Sequence, residues 1–319
     1  MTCWFRATAA VLLALGAAGI GAPRAQDYPS KPVFIVLGPG PDAMPRIYGQ
    51  KLTEIWGHQV LVDPQPAGGG MVATRTVARA EPDGHSMLLT TGSYTINEVL
   101  RPAFPFSLIR DFAPAAQIGT LPFLLLVHPS VPATSLQELL KLAGEKPGQL
   151  NCASSGVGTT AHLGCEMLNK YGKVNIVHVP YKGVAPAQVD LLANRVQMTF
   201  SVPTAIAHVQ SGALRAIAVT GPKRLPALPD VPTVAEAGLA DLQFTSWNGL
   251  HVPAGTPQAV IAKINADVAK VRAMPDIQKR MQDLGFTPEG GSPGDFGVFV
   301  KADLERWKKV VQDTGVKVE

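Results

Sequence analysis

Three features of the chain predict an α/β fold, with sheets flanked by helices. Apolar runs without polar alternation at residues 32–37 (PVFIVL), 87–90 and 121–127 (LPFLLLV) read as strands buried on both faces. Segments with apolar residues at helical spacing separate these runs, the rhythm of a parallel sheet covered by helices. With 319 residues, the chain is long enough for two domains with cores of their own.

The elements follow in order from the same patterning. Residues 32–37 form the first strand, 43–56 a helix, and 59–62 and 87–90 two further strands. Residues 121–127 carry the chain into a second unit. There a helix at 133–144, a strand at 150–153, a helix at 159–171, a β-rich run at 175–179 and segments 186–194, 203–211 and 214–220 repeat the alternation. The C-terminal part is helical. Thr256 is placed as a helix cap with Pro257 at the first position and Val260, Ile261, Ile264 and Val268 inward. Ser292-Pro293-Gly294-Asp295 has the form of a capping box. Phe296, Phe299, Val300, Leu304, Trp307 and Val311 then recur at helical spacing up to Gly315 and are assigned to the core.

Residues 150–184 bear most directly on function. A short strand runs into Ser154-Ser155-Gly156-Val157-Gly158, and a helix follows with Leu163, Met167, Leu168 and Tyr171 on one face. The first N–H groups of a helix have no partner within it and carry partial positive charge. Glycines let backbone close on a ligand, and Ser and Thr hydroxyls add donors beside it. The expectation is a seat for a small anion, a carboxylate, contacted by Ser155, Gly156, Gly158, Thr159 and Thr160. His162 is a further candidate, although one turn into the helix it is also placed to brace the loop. A strand–glycine–helix joint is equally the ordinary way to leave a strand.

Composition indicates an exported globular protein. Hydrophobic residues at 46% against 16% charged exclude disorder. Residues 1–26 have Arg6, an apolar run at 7–20 and a small-residue tail, the pattern of a signal peptide cleaved near Ala25. The run is too short to span a membrane comfortably. The net charge of +4 becomes +2 once Arg6 and Arg24 leave with the leader, and there is no Lys/Arg block. Nucleic acid is therefore not an expected partner. Cys3 falls in the leader. Cys152 and Cys165 form an even pair in an oxidising compartment, read here as two small buried thiols with pairing left open. The histidines are scattered without metal-ligand spacing, so neither metal nor cofactor is expected. Ser154-Ser155-Gly156 lacks the full nucleophile-elbow pattern and no paired carboxylates mark a cleft, so the reading is a binding protein and not an enzyme.

The ordered set SSGVGTTAH, HVPYKG (178–183), AQVDLLANRVQMTF, GALRAIAVTGPKRLPALPDVPTVAEAG (212–238), TSWNGL (245–250) and VPAGTP (252–257) resembles the extracytoplasmic solute receptors of tripartite tricarboxylate transporters, the Bug family. YPSKP (28–32), PAGGG (66–70) and EPDGHSMLL (81–89) extend the likeness over essentially the whole chain after residue 26. The resemblance implies a two-lobed periplasmic binding protein fold, type II-like, with a ligand cleft between the lobes. It implies lobe 1 at 27–120 plus 250–319 and lobe 2 at 121–249, with hinge crossings near Thr120 and at 247–250. It implies a monomer that captures a small organic acid and delivers it to membrane permease subunits. Thr91, Gly92 and Ser93 match the family's small polar turn after the third strand and become candidate contacts, with Tyr94 beside them.

Two departures stand out. The family's first loop, of the form P-F-P-A-G-G-x-x-D, holds the distal carboxylate through main-chain N–H groups. Here LGPGPDA (37–43) is shorter, Asp42 and Gly40 are the corresponding positions, and Pro39 and Pro41 have no N–H. Gly38, Gly40 and Asp42 remain candidates, but this end of the ligand is expected to be held by a side chain or water, or to need no second carboxylate. Ser201 stands where the family commonly has an aspartate, which argues against an amino-acid ligand. Gly38-x-Gly40-x-x-Ala43 with Asp63 downstream also matches a dinucleotide fingerprint and gives the alternative, a nucleotide-dependent oxidoreductase. The prolines, Asp42 at the helix start and the export signal oppose it. A receptor feeding a sensor kinase is a third reading with the same soluble domain.

Overall fold

The first sheet opens on β1 (Val33–Leu37), where Val33, Ile35 and Leu37 enter the main core and Val36 faces a second layer. In this computed structural model residues 28–38, 42–101 and 104–317 are described; the leader at 1–26, Cys3 within it and Gly40 lie outside the described residues. α1 (Ala43–Trp56) buries Met44, Tyr48, Leu52 and Trp56 at four-residue spacing and ends at Gly57 in the left-handed region. β2 (Val60–Pro64), α2 (Met71–Ala78), β3 (Ser86–Thr91), α3 (Gly92–Leu100) and β4 (Phe112–Pro122) follow.

The second sheet is built from β5 (Leu124–Val127), α4 (Leu136–Glu145), β6 (Asn151–Ser154), α5 (Thr160–Gly172), β7 (Val177–Pro180), α6 (Val184–Leu192), β8 (Met198–Ser201), α7 (Ile206–Gln210) and β9 (Arg215–Val219). The chain then returns as β10 (Thr245–Pro253), followed by α8 (Gln258–Ala273), α9 (Pro275–Asp283), β11 (Thr287–Pro288) and α10 (Pro293–Thr314). Strand order is β11-β4-β10-β3-β1-β2 in one sheet and β7-β6-β8-β5-β9 in the other.

Both sheets are mixed, where the apolar runs predicted parallel ones. β1 pairs parallel with β2 and β3, but β10 runs antiparallel to β3 and β4. In the second sheet β6 pairs parallel with β7 and β8, while β5 is antiparallel to β8 and β9. An apolar run reports burial and carries no information about strand direction.

Thr120 and residues 247–250 sit inside β4 and β10; the chain changes sheet at Phe123 and returns at Phe244. Thr220 ties these two points together. Its hydroxyl accepts the Phe123 N–H at 2.8 Å and donates to the Phe244 carbonyl at 2.6 Å, and its own N–H donates to the Phe123 carbonyl. The Phe123 and Phe244 rings pack beside it, 5.4 Å between centroids.

Two local expectations are corrected. The Thr256 hydroxyl does not cap α8; it donates to the Pro253 carbonyl, and Pro257 occupies the cap position. Cys152 and Cys165 are a disulfide, not free thiols, bridging β6 to the second turn of α5 with 6.1 Å between Cα atoms. The capping box at Ser292 and Asp295 is present and starts α10, which ends at Gly315. Among the described residues, no helix is long and apolar enough to cross a membrane.

Candidate ligand site

Two helix beginnings meet between the sheets. α3 starts at Thr91, whose hydroxyl caps it by accepting the Ser93 N–H, and α5 starts at Thr159, whose hydroxyl accepts the His162 N–H. They touch through two contacts. The Thr160 N–H donates to Ser93 Oγ at 3.3 Å, and Asn97 Nδ2 donates to the Gly158 carbonyl at 3.1 Å. Of the four first-turn donors of α5, Leu163 N–H reaches the Thr159 carbonyl, while the Ala161 N–H has no such partner among the described residues. Thr160 is 2% exposed, yet its Oγ1 has no hydrogen-bond partner.

A cavity of ≈ 90 Å³ opens from this junction. Thr91, Ser93, Ser155, Thr159, Thr160 and Ser201 line it, so six of the sequence candidates converge there. Gly92 does not line it; a Cβ there would meet Thr160 Oγ1, Ser246 Oγ and Trp247 Nε1. Among the described residues no Lys, Arg, Asp, Glu or His lines the cavity. Positive potential there comes from backbone donors and the two helix ends, each equivalent to roughly half an elementary charge.

Other candidates are brought near the cavity without lining it. Gly156 shapes the turn: its N–H donates to Ser154 Oγ and its carbonyl accepts Thr159 Oγ1. Gly158 has φ +81°, and a Cβ there would run into the Asn97 side chain from the opposite helix. Its N–H donates to His162 Nδ1 at 3.2 Å, so His162 braces the turn from behind and does not face the cavity. Burial, with a smaller contribution from His178, pushes the His162 imidazole down to about 3, and burial holds His178 at about 4. Both rings are neutral at pH 7 and stack 4.1 Å apart.

Of the first turn, Gly38 and Asp42 are described. The Gly38 N–H is taken by Tyr94 Oη at 3.2 Å, and Gly38 packs so closely on Gly70 that no side chain fits. Asp42 forms a solvent-facing ion pair with Arg46 at 2.7 Å. Neither lines the cavity. Tyr94 is buried, its hydroxyl spent on Gly38, and Trp247 donates through Nε1 to buried Asp303.

Residues that sequence reasoning passed over complete the lining. Gln188 and Thr199 come from α6 and β8, Ser246 and Asn248 from β10, and Phe123 and Phe286 from the crossing and the segment before β11. TSWNGL carried a signal for Ser246 and Asn248; the others have no local pattern that sets them apart from core. His162, Glu166 and His178 also bring potential metal-ligand atoms within 4.8 Å of one another. The Gly158 N–H and Ser154 Oγ already occupy one nitrogen of each histidine.

Comparison with known proteins agrees with this architecture. The family model described as tripartite tricarboxylate transporter family receptor matches residues 44–316. A protein from the tcbD-tcbE intergenic region of Pseudomonas sp. (strain P51) is 36% identical over 312 residues, spanning 96% of this chain and 93% of that one. An R. palustris protein solved with adipate superposes with a TM-score of 0.87 at 32% identity, covering 91% of this chain and 99% of its own. MatC from Rhodopseudomonas palustris, solved with bound malate, gives 0.84 at 29% identity, covering 89% and 100%.

Proposed function

Because the chain belongs to the tripartite tricarboxylate transporter receptor family, we propose that it is a periplasmic receptor that closes two lobes over a small organic carboxylate and delivers it to a membrane permease. Receptors of this family bind and do not catalyse, which removes the oxidoreductase reading of the turn at 38–43. The observation that carries the proposal is the pair of helix beginnings facing one cavity. α3 and α5 both begin at its lining, and α5 keeps unspent donors there, the Ala161 N–H and Thr160 Oγ1, beside a space without a counter-charge among the described residues. A carboxylate satisfies both. The adipate and malate held by the two similar structures support the same ligand class.

Export rests on the leader pattern of residues 1–26, with cleavage near Ala25. Thr91, Gly92, Ser93, Ser155, Thr159, Thr160 and Ser201 are assigned to the ligand, with Gly156, Gly158 and His162 shaping its seat. Lobe 1 comprises the β1–β4 and β10–α10 elements and lobe 2 the β5–β9 elements, hinged at Phe123 and Phe244. Ser93–Thr160 and Asn97–Gly158 then form only in the closed state, and ligand favours that state by bridging it. Ser201 in place of an acid leaves an ammonium group without a partner.

A thermal-shift screen of the mature protein over mono- and dicarboxylates, amino acids and nucleotides tests this. A ligand at about 100 times its Kd stabilises by roughly 2.7 kcal/mol. Stabilisation by carboxylates is expected; stabilisation by nucleotides or amino acids and by no simple carboxylate would defeat the reading. Permease dependence is tested by uptake of the binding acid into cells, which should need this gene and the membrane subunits together.

A further inference from the structure

Resting on the carboxylate-receptor reading, we propose that the ligand is a monocarboxylate with a short hydrocarbon body, four to five carbons in all, and not a dicarboxylate. The cavity has two unlike ends. At its mouth lie Thr91, Ser93, Thr159 and Thr160 with their donors. Its inner end runs beneath α6, against the face of the second sheet opposite α5, and is walled by Leu126, Ala187, Leu191, Ala205 and Leu214. These belong to a core cluster of their own, which is thin because α6 and α7 are short and cover one face of a small sheet.

One anionic group fits the mouth, and among the described residues no charged side chain awaits a second. The polar side chains of the lining beyond the mouth, Gln188, Thr199, Ser201, Ser246 and Asn248, are all uncharged, and the Thr199 hydroxyl is already donated to the Ala153 carbonyl at 2.8 Å. No cationic side chain lines the cavity among the described residues. The described part of the first turn offers nothing either, since the Gly38 N–H is held by Tyr94 and Asp42 is itself an acid paired with Arg46. A second carboxylate driven into the inner end would be a buried charge without a counter-charge among the described residues, which is costly.

Size follows from the volume. A dry cavity of about 150 Å³ holds the six carbons of benzene, roughly 25 Å³ per carbon. The ≈ 90 Å³ here then takes about three to four carbons beyond a carboxylate seated at the mouth. Butyrate, valerate and isovalerate meet the description.

The test is calorimetric titration of the mature protein with valerate, isovalerate, glutarate and benzoate. Valerate or isovalerate should bind about tenfold or more tightly than glutarate, which has the same length and one more charge. Glutarate binding as tightly as valerate would overturn the monocarboxylate assignment while leaving the receptor reading intact, and benzoate binding tightest would overturn the size argument. Failure of all four acids would sink the assignment, and failure of the wider carboxylate screen as well would take the receptor reading with it. Two variants locate the hydrocarbon. Ala187→Leu fills the inner end and Ser201→Asp places a like charge in it. Each should weaken valerate binding about tenfold or more, with the ligand-free melting transition recording whether the fold is kept. Unchanged valerate affinity in a folded Ser201→Asp protein would refute the placement.

Discussion

Gly158→Ala separates the stability of the anion seat from the closure of the lobes. Gly158 has φ +81°, a conformation that costs an L-residue about 1–2 kcal/mol wherever the lobes stand. A Cβ at this position would also intrude on the Asn97 carboxamide, which belongs to α3 on the other side of the junction. That collision exists only when the helix beginnings meet. It displaces Asn97 Nδ2 from the Gly158 carbonyl, a contact of 3.1 Å worth about 0.5–1.5 kcal/mol. The ligand-free protein should therefore lose about 1–2 kcal/mol in urea unfolding. Ligand affinity should fall by a further 1–3 kcal/mol, about five- to 150-fold, in calorimetry with the tightest-binding acid. Asn97→Ala in the same background removes the obstacle and should recover part of the affinity but none of the stability. Additive effects of the two substitutions on affinity, within about 0.5 kcal/mol, would refute the closure argument.

Three further outcomes follow from particular contacts. The Cys152–Cys165 bridge closes a loop with a sequence separation of 13, so the double Ala variant should lose about 3 kcal/mol in urea unfolding, and added reductant should lower the parent protein's midpoint but not the variant's. An insensitive parent would refute it. His162 and His178 protonate at about 3 and about 4 in the fold but near 6.5 when unfolded, so stability is full above about pH 6.5 and is lost as pH falls toward 4. Glu166, raised by burial, offsets part of this loss, and His178→Asn should shrink the drop in urea midpoint between pH 7 and pH 5. Asp303→Ala strands the buried donor Trp247 Nε1 and leaves Thr95 Oγ1 only the Gly92 carbonyl, and should cost about 2 kcal/mol or more, with Asp303→Asn milder; equal and negligible losses would contradict the assigned hydrogen bonds.

Local patterns were readable where the physics is local. α1 spans residues 43–56 as its spacing predicts, and α10 begins at the Ser292 capping box and stops at Gly315 because caps and stripes are written in adjacent residues. The Ser154–Thr160 turn was legible for the same reason. The inner cavity was not. Leu126, Ala187, Leu191 and Leu214 come from four separate elements and each reads as ordinary core; only their incomplete packing makes a space. The disulfide was out of reach too, since two cysteines thirteen apart across a strand–helix joint pair only if the helix returns over its own strand. His162 shows the converse limit. Its position pointed toward the site, but which side of the turn the ring takes is settled by the Gly158 N–H and by His178.

On the proposed reading, the seat and the hinge divide the work of binding between a rigid part and a movable one. α5 is fixed to β6 by the disulfide, to its own turn by His162 and Thr159, and to lobe 1 by single hydrogen bonds from Thr160 and Asn97. α10 also packs against α5, the Arg306 guanidinium donates to the Gln243 carbonyl, and the chain crosses between the sheets at Phe123 and Phe244, where Thr220 holds both crossings in one small hydrogen-bonded knot. Helix ends hold an anion with about 0.3–1 kcal/mol each in water and up to about 2 when partly buried, far less than a buried arginine pair. Such a seat selects charge and sets orientation without making release slow. The remaining affinity must come from apolar surface removed from water, at roughly 25 cal/mol per Å². On the proposed reading that surface is dry only while the lobes are shut, so opening at a permease would weaken the anion's hold and wet the hydrocarbon in one movement. A receptor that must let go benefits from that coupling more than from a stronger ion pair.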